Sequence, residues 1–132
     1  MQAPRLLIDG MNVIGATPDG WWRDRDAAVR RLVERLRPLA ASGEPITLVL
    51  DGPPLADLPE GEHGGIEVLY ARRGGANAAD DRIVELVSEQ PRAYHLITSD
   101  RTLRARVEAL GGTVAGVSAL RRRLDSLGSG PS

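Results

Sequence analysis

Short apolar runs that end in aspartate recur along this chain. RLLID ends at Asp9, ITLVLD at Asp51 and YHLITSD at Asp100. Each run is nearly continuous in apolar residues, the pattern of a strand buried on both faces of a parallel sheet. Between them lie stretches with helical spacing, such as Val29, Leu32, Val33 and Leu36 at i, i+3, i+4 and i+7. Strands apolar on both faces need helices on both sides, which confines the chain to a layered α/β arrangement.

Strands are expected at residues 5–9, 46–50, 66–71, 93–98 and 113–117. The element order is β-α-β-β-α-β-α-β-α, which argues for a mostly parallel, doubly wound sheet. Asp24 or Asp26 caps the first helix, and Pro38 is expected to end or kink it. The connection 52–65 is rich in Pro and Gly, with room for a turn of helix. Residues 66–71 read as an edge strand with Glu67 facing out. Asn77 is placed to cap a helix whose inner face carries Ile83, Val84 and Val87. A third helix turns Leu103, Val107 and Leu110 inward and stops at Gly111–Gly112. Ser118 caps the last helix, with Leu120, Leu124 and Leu127 on one side. Residues 1–127 form one domain, and 128–132 (GSGPS) read as a disordered tail.

Composition removes several function classes. The 132 residues include no cysteine, so disulfides, thiolate zinc sites and cysteine nucleophiles are excluded. All 17 basic residues are arginine; without lysine there is no P-loop and no receiver-type phosphoacceptor site. No apolar stretch has the length of a membrane helix and the start turns acidic too early for a secretory signal, so a soluble cytoplasmic protein with no membrane contact is expected. Net charge is −1, so any pull on nucleic acid must be local. Arg72–Arg73, the group Arg101, Arg104 and Arg106, and Arg121–Arg123 are the places it could come from; Arg121–Arg123 read better as a solvating surface. Of Trp21–Trp22, one fits a hydrophobic staple before the helix, and the other is open to stacking on unpaired bases.

The acids carry the chemistry. Asp9 is followed by Gly10 and Asn12, a spacing that lets Asn12 reach back toward the carboxylate or a phosphate, though Asp-Gly-x-Asn is also ordinary turn chemistry. Asp80 and Asp81 fall in a first helical turn, where the helix dipole favours acids in any protein. Asp80 nevertheless shares the inward face with Ile83 and Val87, which a purely solvating acid should avoid. Asp100 doubles as a helix N-cap, and Asp51 as a turn residue. Strands one and four can be neighbours where the chain reverses direction, which would set Asp9 beside Asp100. Carboxylates gathered on one edge repel unless a cation lies between them, so a divalent-metal site serving phosphodiester chemistry is the leading hypothesis. A haloacid-type phosphatase is disfavoured, since Gly10 and Met11 follow Asp9. His63 and His95 are poorly placed: His63 lies in a Gly-rich loop, and His95, inside a strand, reads as structural.

LLIDGMNVIGA, VLDG, AADDRIVELV and ITSDRTLRARVEALGG, in this order across residues 6–110, resemble the motifs of the YacP-like NYN family of PIN-like domains. The resemblance implies a PIN-like, Rossmann-like three-layer α/β/α sandwich with strand order 3-2-1-4-5. It implies a metal-dependent endoribonuclease acting on single-stranded RNA. The matching site positions are Asp9, Asn12, Asp80, Asp81 and Asp100. On this reading Asp9, Asp80 and Asp100 hold Mg2+ or Mn2+. Asp81 serves outside them or at a second ion, and Asn12 orients Asp9 or a phosphate. Asp51 is a possible accessory, and Arg72, Arg73, Arg101 and Arg104 hold RNA. Some PIN-like nucleases carry a further acid where this chain has Arg104, and the chain is shorter than expected for the family. Both favour an alternative, an RNA- or ribosome-associated binding module without turnover. A toxin-type PIN ribonuclease is a third reading.

Overall fold

The computed structural model describes residues 4–16, 20–71 and 78–128. In chain order these form β1 (Arg5–Asp9), α1 (Gly10–Gly15), α2 (Arg25–Ala41), β2 (Ile46–Asp51), β3 (Gly61–His63) and β4 (Ile66–Ala71). There follow α3 (Ala78–Glu89), β5 (Tyr94–Ile97), α4 (Arg101–Ala109), β6 (Thr113–Ala115) and α5 (Val117–Gly128). Short 3-10 turns occupy Trp21–Arg23 and Pro91–Ala93.

The sheet runs β3-β4-β2-β1-β5-β6, parallel throughout except for β3, which pairs antiparallel with β4. The five expected strands therefore stand in the expected order, with one more outside. Added β3 makes β4 an interior strand, contrary to the edge position read from the sequence. Glu67 does not face out either: its carboxylate accepts the Thr47 hydroxyl at 2.9 Å, and Thr47 in turn accepts from Arg5 Nε at 2.6 Å. Arg5, Thr47 and Glu67 thus form a polar ladder across three strands, which is why a fully buried threonine is tolerated.

Side-chain alternation along each strand sorts the core into two layers. Leu6, Ile8, Leu48, Leu50 and Tyr70 face α1, α2 and α5. Leu7, Val49, Ala71 and Leu96 face α3 and α4. The same alternation carries Asp9, Asp51 and Thr98 to the α3/α4 side, at the carboxyl ends of their strands. Asp9 is one of three buried polar residues among the described residues, with Thr47 and Thr98.

Four local expectations need correction. Residues 10–15 form helix α1 rather than an open turn. Pro38 lies inside α2. It forfeits only the bond to the Glu34 carbonyl, and the extra turn seats Leu39, 2% exposed, in the core. The 52–65 connection contains no helix. It holds a Leu55–Leu58 bridge and β3, and Tyr70 pins it by donating its hydroxyl to the Leu58 carbonyl at 2.7 Å and accepting the Leu55 amide at 3.3 Å. The final strand stops at Ala115, and α5 starts at Val117, so Ser118 is inside the helix. Ser99 Oγ receives the Val117 N–H instead, at 3.1 Å. Asn77 lies outside the described residues.

Gly10 fixes the start of α1 against the sheet. A β-carbon there would sit 2.6 Å from Leu50 Cδ2 and 2.9 Å from the Val49 carbonyl oxygen. Gly10→Ala is therefore expected to destabilise the fold by about 1–3 kcal/mol, the usual scale of overpacking, read as a lower urea midpoint. An unchanged midpoint would refute this close approach.

Candidate functional site

The site grows out of the ends of β1 and β5. These strands pair directly, with Ile8 opposite Ile97, so Asp9 and Thr98 come next to each other. Thr98 donates its hydroxyl to Asp9 Oδ2 at 2.9 Å, and Thr98 Oγ1 in turn accepts the Asp100 N–H at 3.1 Å. Asp100 begins α4 as its N-cap: Oδ1 accepts the amides of Thr102 and Leu103 at 2.9 and 3.1 Å. The expected cap and the expected site residue are the same side chain, with one carboxylate oxygen spent on the cap.

Asn12 behaves otherwise than expected. Its side-chain oxygen accepts the Ser99 N–H at 2.8 Å and so fastens α1 to the loop after β5. What faces Asp9 is the Asn12 backbone amide, which does not close a cap hydrogen bond. Asn12 positions the segment that carries Thr98 and Asp100.

Asp9 is only 5% exposed, and its pKa is raised from 3.8 to about 6. Burial is the largest cause. The Thr98 hydrogen bond opposes it, Asp80 repels, the Asn12 amide opposes, and Asp100 repels. Asp80, half-buried on α3, is also raised, by burial first and then by Asp100, with Arg106 opposing. Asp9, Asp80 and Asp100 therefore share one field.

The other two acids are neutralised. Asp81 is exposed and pairs with Arg106 Nη1 at 3.2 Å. Asp51 faces Arg25 Nη2 at 3.5 Å, from across the sheet edge. Arg104, at the position where an acid was missed, pairs with Glu108 one turn on, at 3.7 Å. Arg101 is exposed at the first turn of α4, beside the Asp100 cap. Arg72 and Arg73 lie outside the described residues. His63 meets the Pro59 carbonyl and His95 the Thr113 hydroxyl, so neither joins the acids.

In donor type, the site fits a hard divalent cation, for which carboxylate oxygens are the natural ligands and one or two suffice beside water. Among the described residues no three acidic or imidazole groups are close enough to form a ready-made shell.

The YacP-like NYN domain model matches residues 6–129. The chain belongs to the YacP-like NYN family. This is a nuclease-type domain family related to RNA processing. No curated protein matches the chain. Among solved structures, Rae1 (YacP) from Bacillus subtilis superposes with TM-score 0.71 at 24% identity, over 98% of this chain and 76% of that one. A singly substituted form of the same protein gives TM-score 0.75 at 22% identity, over 96% and 77%. At such identities the likeness carries the fold. Among the described residues, no helix is long and apolar enough to cross a membrane.

Thr98 and Ser99 are the residues beside Asp9 and Asp100 that motif reading missed. The signal was present in strand alternation, which turns Thr98 to the same face as Asp9.

The raised Asp9 pKa has a stability consequence. Below pH 3.8 the carboxyl is neutral in both folded and unfolded chains. Between 3.8 and about 6 the unfolded chain ionises first, so stability falls as pH rises, and above about 6 the loss is complete. The gap corresponds to about 3 kcal/mol. Without added metal, Asp9→Asn is expected to raise stability by about 1–3 kcal/mol at pH 7.5 and to leave it unchanged at pH 3.5, by urea unfolding. A gain equal at both pH values would contradict the assigned cause.

Proposed function

We propose that this domain is a divalent-metal-dependent endoribonuclease that hydrolyses phosphodiester bonds of single-stranded RNA. One observation carries the reading: a buried Asp9 whose charge is opposed by burial and by two neighbouring acids, while Arg106 pairs with Asp81 and Arg25 with Asp51. A soluble fold gains nothing from such an arrangement, whereas a cation between the acids would offset it. Family membership supports the nuclease class.

Asp9 and Asp80 would be the principal ligands of Mg2+ or Mn2+, with Asp100 offering Oδ2, the oxygen its cap leaves over. When bound, the ion would supply positive charge that lowers the pKa of a coordinated water and stabilises the leaving oxygen. Thr98 keeps Asp9 oriented, and Asn12 keeps Thr98 and Asp100 in place through Ser99. Asp81, held by Arg106, would act from outside the direct ligands. Asp51 would contribute charge at the edge. Arg101 and Arg104, with Arg72 and Arg73, would hold RNA phosphates. The domain would work in the cytoplasm, with the ribosome presenting the RNA.

A second reading, an RNA- or ribosome-associated module without turnover, is favoured by Arg104 standing paired to Glu108 where an acid is otherwise found. Labelled single-stranded RNA incubated with Mn2+ separates the two. The intact protein is expected to cleave, and an Asp9→Asn, Asp80→Asn double variant to lose more than about 100-fold, since even outer partners of metal ligands cost about 10- to 100-fold. Equal cleavage by both proteins would refute the nuclease. Binding without cleavage by either would establish the module.

A further inference from the structure

We propose that Trp22 is a stacking platform for an unpaired nucleobase, set beside the acidic edge of the sheet. This rests on the reading of the domain as an RNA-acting protein and extends it to a residue outside the acidic cluster.

Trp22 is 63% exposed, and only two other large apolar side chains of the described residues, Leu110 and Leu127, are exposed at all strongly, at 37% and 38%. A lone exposed aliphatic residue is unremarkable, but a tryptophan left this open forgoes the largest burial gain of any side chain. Nor is the ring on a loose segment. It sits in the 3-10 turn Trp21–Arg23, which Gly20 opens in the left-handed conformation, φ 75°. Trp21 packs on the core that α1, α2 and α5 share, and meets Trp22 edge to face, with ring centroids 6.3 Å apart at 86°. One indole is therefore the staple that anchors the turn, and the other is displayed by it.

The turn is tied to the site. Asp24 caps α2 by accepting the Ala27 amide at 3.0 Å, which turns its carboxylate to the helix. Arg25 reaches Asp51 at the carboxyl end of β2, and the charge of Asp51 is felt at Asp80. Trp22 is three residues from Arg25, a span of at most about 11 Å. Arg23, in the same turn, is exposed beside it. An aromatic face next to a guanidinium is the pairing that holds single-stranded nucleic acid, base on ring and phosphate on cation, with little sequence preference.

The test is binding of a labelled single-stranded oligoribonucleotide in EDTA at fixed low salt, followed by fluorescence anisotropy. A parallel series has one nucleotide at a time replaced by an abasic one. The intact protein is expected to lose at least about fivefold in affinity at one abasic position, the low end for a stacked base. Trp22→Ala should bind the intact oligonucleotide at least about fivefold more weakly and be indifferent to that abasic position, while Trp22→Phe keeps most of the affinity. Thermal unfolding of each variant separates stacking from misfolding, and the abasic series with the intact protein stands without any variant. Undiminished binding by folded Trp22→Ala, or an intact protein indifferent to every abasic position, would overturn the stacking role while leaving RNA binding in place. An intact protein that binds no RNA in EDTA, nor with Ca2+ in its place, would instead overturn the RNA reading, and this inference with it.

Discussion

The Thr98 hydroxyl is the point on which the site depends. It donates to Asp9 and accepts from the Asp100 amide, so one oxygen joins the end of β1 to the start of α4. Remove it and Asp9 loses the largest of the interactions that favour its charged form, while burial and the repulsion of Asp80 and Asp100 remain. Around this bond the neighbouring contacts fall into place. Asn12 holds Ser99, and Ser99 holds the first amide of α5. Three consecutive residues, Thr98, Ser99 and Asp100, thereby lock α1, α4 and α5 to one sheet edge.

Electrostatics then divides the five aspartates. Asp51 and Asp81 each have an arginine partner on an exposed surface, where a pair is worth little to stability. Asp80 and Asp100 both act on Asp9, and Asp100 acts on Asp80, through their charges. Burial and the repulsion of Asp80 and Asp100 work against the charged form of Asp9 at neutral pH, and the proposed cation would offset them. Gly10 belongs to the same design. It admits α1 hard against β2, and so lets Asn12 reach Ser99 only three residues after Asp9.

Much of this was legible in the sequence, for a physical reason. Strands buried on both faces are continuous apolar runs, and so the five parallel strands could be read, while their order came from the resemblance to the YacP-like NYN family. Asp80 shares its helix face with Ile83 and Val87, so its inward position followed from spacing alone. What escaped depended on contacts between distant segments. The Asn12–Ser99 bond spans 87 residues, and nothing local to Asp-Gly-x-Asn distinguishes it from a reach back to Asp9. β3 has only three residues and no apolar run, because it pairs by backbone alone. Pro38 reads as a helix breaker, but burial of Leu39 carried the helix past it. Glu67 looked solvent-facing until Thr47 and Arg5 were placed beside it.

The central claim is that the shared field of Asp9, Asp80 and Asp100 is a cation site. Carbon NMR of the Asp9 carboxyl, titrated with and without Mg2+, tests it most directly. The account predicts a midpoint near pH 6 without the ion and a clear fall in that midpoint when Mg2+ is added. A midpoint near the ordinary 3.8, or one that Mg2+ leaves unmoved, would contradict it.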